Sequence, residues 1–79
     1  MKFFLIITIC LFNECENFQI IKTFDTKMDC RTYSVEVVEK IQNELPDSSG
    51  RTWCVNELEL KIIKENLNLK DKSFEDITI

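Results

Sequence analysis

Four cysteines, Cys10, Cys15, Cys30 and Cys54, are the residues of this 79-residue chain best suited to covalent chemistry. Cysteines form disulfides in oxidising compartments, ligate zinc, or attack as thiolates when a nearby group lowers their pKa. The chain has no histidine. That removes imidazole acid–base catalysis, the Ser-His and Cys-His nucleophile pairs, and imidazole metal ligands. Cys30 and Cys54 lie far outside CxxC spacing, and two thiolates do not complete a structural zinc site. The expected role of Cys30 and Cys54 is therefore a disulfide.

Carboxylates are paired in sequence at Glu36 with Glu39, Glu57 with Glu59, and Glu75 with Asp76. A glycosidase-like pair needs a cleft that raises one member's pKa. A chain this short rarely builds one, so all three pairs read as solvated faces. The single glycine excludes GxxxxGK and GxGxxG phosphate loops. The expectation is a protein that is not an enzyme and uses no cofactor and no metal. Trp53, Arg51 and Tyr33 are the candidates for contact with a partner, since exposed Trp often anchors interfaces. Against that, Trp53 and Tyr33 neighbour cysteines and suit rings packed on a disulfide, and Arg51 suits a solubilising charge.

The first fifteen residues look like an export signal. Lys2 is followed by the apolar run Phe3–Phe12, interrupted only by Thr8, and then by Asn13-Glu14. The run is shorter than the roughly 20 residues that span a bilayer. Cleavage after Cys15 is expected, with residues 1–15 removed and residues 16–79 left as a single small secreted domain. A cut after Cys10 would leave an odd thiol. On this reading one disulfide remains, closing a loop of about 25 residues and worth roughly 3.5 kcal/mol in the chain-entropy model.

Ten basic against fourteen acidic residues give a net charge of −4. Such a surface offers no basic field for nucleic acid or anionic lipid. The expected partner is an extracellular protein, with no membrane insertion after leader removal.

The elements that would carry these residues read as follows. Val37, Val38, Ile41 and Leu45 form one stripe at helical spacing, with Thr32 or Ser34 as the cap and Pro46 as the stop. Asn56 and Glu59 have the spacing of a capping box for a second helix. Two apolar stripes run along it: Val55, Leu58, Ile62 and Leu69 on one side, Leu60, Ile63 and Leu67 on the other. The expected fold is small and all-α, with helices at about 33–45 and 55–69, an N-terminal arm, and one disulfide as staple. The alternative is a small α+β domain with one helix and a β-hairpin in the second half, because Glu57–Ile62 and Asn66–Lys70 also alternate. Residues 70–79 read as a tail that is either disordered or capped at Ser73 and Asp76.

The function expected from these features is a small secreted binding or effector protein that acts by protein–protein contact. The alternative is an apolar-ligand carrier or a self-associating module such as a homodimer, which would occupy the second stripe. A peptide-hormone precursor ranks third, since no Lys/Arg dipeptide marks a processing site.

Overall fold

A computed structural model describes residues 2–67 and 69–72. Strands β1 (Phe3–Leu11) and β2 (Glu14–Phe24) form a hairpin, followed by helix α1 (Lys27–Glu44). Strand β3 (Ser49–Asn56), helix α2 (Glu57–Asn66) and the short strand β4 (Lys70–Lys72) complete the order. The sheet order is β3-β1-β2-β4. The first three strands are antiparallel, and β4 adds in parallel beside β2. The expected all-α fold with one disulfide is therefore incorrect: the protein is a small α+β fold, with two helices among the described residues and two disulfides.

The physical source of the error is Phe3–Leu11. A strand covered on both faces reads as an unbroken apolar run, without the alternation of a half-exposed strand. β1 is such a strand, flanked by β3 and β2. Leu5 and Ile7 are fully buried in the cluster beneath α1, with Phe18, Ile20, Phe24, Cys30, Val37 and Ile41. Ile6, between them, faces the opposite side and meets Val55 and Leu60 under α2. The segment that resembles a leader is thus an inner strand shared by both cores.

α1 begins six residues before its expected start. Thr26 is its N-cap, accepting from the Asp29 N–H at 3.1 Å. Thr32 and Ser34, the expected caps, lie inside the helix. Their hydroxyls donate to the carbonyls of Met28 (3.0 Å) and Arg31 (2.6 Å). The buried side of α1 carries Cys30, Ser34, Val37 and Ile41. Leu45 caps the C-terminus, and Pro46 denies the helix a further N–H donor.

Beyond Pro46 the chain returns along α1 as β3, which brings Cys54 to Cys30 with a Cα–Cα distance of 6.0 Å. Val55 and Asn56, assigned by periodicity to the second helix, close this strand instead. α2 then starts at Glu57 behind a complete capping box. The Glu59 N–H donates to Asn56 Oδ1 (2.8 Å), and the Asn56 N–H donates to Glu59 Oε1 (3.1 Å). No hairpin forms in this half among the described residues, because Glu57–Asn66 is helical; the hairpin is β1–β2. Of the two α2 stripes, Leu60 and Ile63 pack on Ile6 and Val55. Leu58 and Ile62 face solvent, at 69% and 52% exposure. Lys70–Lys72, read as tail, pairs with Phe18–Ile20. The expected cap at Ser73 and Asp76 lies outside the described residues.

Candidate functional site

β1 and β2 are joined by only two residues, Phe12 and Asn13, and both have positive φ, at 51° and 68°. Two-residue hairpin loops favour the type I′ turn, which needs positive φ at both central positions. Asn tolerates this conformation. A residue with a bulky side chain does not, and the left-handed region costs it roughly 1–2 kcal/mol. No burial offsets that cost at Phe12, whose ring is 81% exposed. A large aromatic side chain is therefore held out into solvent on strained backbone.

Immediately behind the turn, Cys10 faces Cys15 across the hairpin and the two are bonded, with Cα atoms 4.0 Å apart. The bond closes a very short ring around Leu11–Glu14 and keeps the two strand ends from splaying. Beside Phe12 lies a groove of about 260 Å³, lined by Ile9, Leu11, Phe18 and Leu45 together with Glu14 and Glu16. Leu45 brings the C-terminal end of α1 to this groove. The last turn of α1 contains no basic residue, so the negative end of its macrodipole is not offset there. Glu16 is paired with Lys70 at 3.3 Å, an exposed pair of small energetic weight. The tip thus combines a projecting ring, a small apolar notch and carboxylates on a disulfide-braced support.

The residues singled out from sequence are dispersed. Trp53 and Arg51 share one face of β3, two positions apart, and both are exposed, Trp53 at 44%. Cys54 points to the other face, toward α1, so strand alternation separates the Trp53 ring from the disulfide beside it. Tyr33 lies on α1, half-buried against the core. Its ring centroid is 5.3 Å from that of Phe24, and Lys22 Nζ sits 4.6 Å above it. That arrangement makes Tyr33 part of the α1–β2 packing rather than a neighbour of Trp53. Phe12 was missed by sequence reasoning because Cys10–Cys15 was absorbed into the leader. The available signal was the close cysteine spacing around an Asn, which suits a braced turn.

Among the described residues, no group of His, Cys, Asp or Glu side chains is placed to hold a metal ion. The carboxyl of exposed Asp25 is held below its ordinary pKa by its hydrogen bond with Lys2 and by the Lys2 charge. It lies at the end of the hairpin away from the tip. Also among the described residues, no helix is long and apolar enough to cross a membrane. Two disulfides in so small a domain are consistent with an extracellular protein. The chain matches no family model, no curated protein and no solved structure.

Proposed function

We propose that this protein is a small secreted binding or effector protein, without catalysis, that contacts another protein through the β1–β2 hairpin tip. The observation that carries this reading is Phe12: exposed, strained in the left-handed region, and braced by the Cys10–Cys15 bond. Strain retained where packing does not require it is a mark of functional positions. Aromatic anchors held rigid before binding lose little entropy on docking. Export accords with the two disulfides. On this reading β1 stays with the exported chain, because the hairpin is built on it.

The test is binding of labelled, oxidised full chain to intact cells, with Phe12→Ala as the comparison. Truncating an anchor is expected to weaken saturable binding about tenfold or more. Circular dichroism should be unchanged, since Phe12 supports no core. Equal binding by both proteins would rule out the tip as the contact.

A second reading, an apolar-ligand carrier, is favoured by one other observation. A groove of about 820 Å³ runs between α2 and the sheet, lined among others by Phe4, Gln19, Leu58 and Leu60. Gln19 Oε1 is buried there without a hydrogen-bond donor. A ligand with an apolar body and one donor group would satisfy both features. Saturable displacement of an apolar dye that Gln19→Leu alters would support this reading.

A further inference from the structure

The two edges of the sheet are treated differently. Along Phe18–Ile20, the middle of its length, the β2 edge is covered by β4, a three-residue strand of sequence Lys-Asp-Lys. Short, charged edge strands are a common device against unwanted pairing. The other edge is β3, eight residues long with the sequence Ser-Gly-Arg-Thr-Trp-Cys-Val-Asn. It is last in the sheet order, so its outer backbone groups have no strand partner among the described residues. It contains no proline and no carboxylate, and its one charge is Arg51. Its largest exposed side chain is Trp53.

We propose that β3 is a self-association edge, where a second copy of this chain adds antiparallel to form a two-fold symmetric dimer with a continuous sheet. The side chains of β3 are self-complementary in one register. With Thr52 on the two-fold axis, directly opposite residues share a face. Arg51 then lies opposite Trp53 of the second copy, and Trp53 opposite its Arg51. The symmetry generates this cation–aromatic pair twice. Thr52 meets Thr52 on the α1 side of the sheet, and Gly50 meets Cys54, so β3 itself places no large side chain on the side occupied by the helix, where Lys27 and Arg31 of α1 line the groove beside Thr52 and Cys54. Because the strand has no carboxylate, no acidic repulsion arises within the paired segment. The overall net charge of −4 opposes association only over distances that physiological salt screens. The proposal is independent of the hairpin-tip reading, since neither Phe12 nor Asn13 enters the paired strands.

Trp53 is the only tryptophan, so its fluorescence reports on this edge alone. The experiment is sedimentation equilibrium of the oxidised full chain over a wide concentration range, with tryptophan emission recorded on the same samples. The expected result is a monomer–dimer equilibrium, with emission shifting to the blue as dimer forms. Arg51→Ala removes both cation–aromatic pairs and is expected to raise the dimer dissociation constant about tenfold. Phe12→Ala is expected to leave the constant unchanged. A chain that stays monomeric at every concentration overturns the proposal. So does a dimer whose emission does not move, or one that Arg51→Ala leaves intact, since either places the contact on another surface. Trp53→Phe checks the register independently: it keeps a ring opposite Arg51, so dimerisation should persist where Trp53→Ala weakens it.

Discussion

At Phe12 a single residue shows how local energetics and exposure can disagree with stability. The type I′ turn wants residues that accept positive φ, and Asn13 is one of them. Phe12 is not, and its ring is in solvent. Phe12→Asn is therefore expected to stabilise the protein by about 1 kcal/mol, since it relieves left-handed strain without removing a core contact. Chemical denaturation would show this as a raised midpoint with an unchanged slope. A lowered midpoint would mean that the ring contributes to folding. The same substitution should weaken binding if the tip is the contact, so stability and function would move in opposite directions.

At the scale of elements, two disulfides do different jobs. Cys30–Cys54 ties the first turn of α1 to β3 across 24 positions of sequence, with Cys30 fully buried. Cys10–Cys15 spans only 5 positions at an exposed tip. Loop-closure entropy grows with loop length. Replacing the first pair by serine should therefore cost about 3.5 kcal/mol, and replacing the second about 2 kcal/mol. Thermal unfolding of the two double variants, Cys30→Ser/Cys54→Ser and Cys10→Ser/Cys15→Ser, would rank them. The reverse order would show that the tip bond stabilises more than its own short loop. α2 supplies a separate check, since its capping box is local. Asn56→Ala is expected to cost about 1 kcal/mol and to show as reduced helix content before global unfolding.

At the scale of the whole molecule, β1 is the common wall of both cores. Leu5 and Ile7 face α1, while Ile6 faces α2. The fold therefore depends on residues that precede Glu16. A chain restricted to Glu16–Ile79 lacks β1, the Cys10–Cys15 bond and the strand between β2 and β3. It is expected to show no cooperative thermal transition, whereas the full chain should melt cooperatively. A cooperative melt of the shorter chain would mean that β2 and β3 can close on each other directly.

Much of the local structure was legible in the sequence. The capping box at Asn56, the stop at Pro46, and the buried positions Val37 and Ile41 all follow from short-range chemistry. The sequence by itself also determined the absence of imidazole chemistry and of glycine-rich phosphate loops, because these depend only on which residues are present. Only the tertiary structure decided that Phe3–Leu11 is a strand, since an apolar run looks the same whether lipid, an export channel or two layers of protein cover it. Tertiary structure likewise decided that Cys10 meets Cys15, that Leu60 and Ile63 rather than Leu58 and Ile62 turn inward on α2, that Phe12 is exposed, and that β3 ends the sheet among the described residues. The physical reason is common to all of these. Burial is settled by what packs against a segment, and those neighbours are far away in the chain.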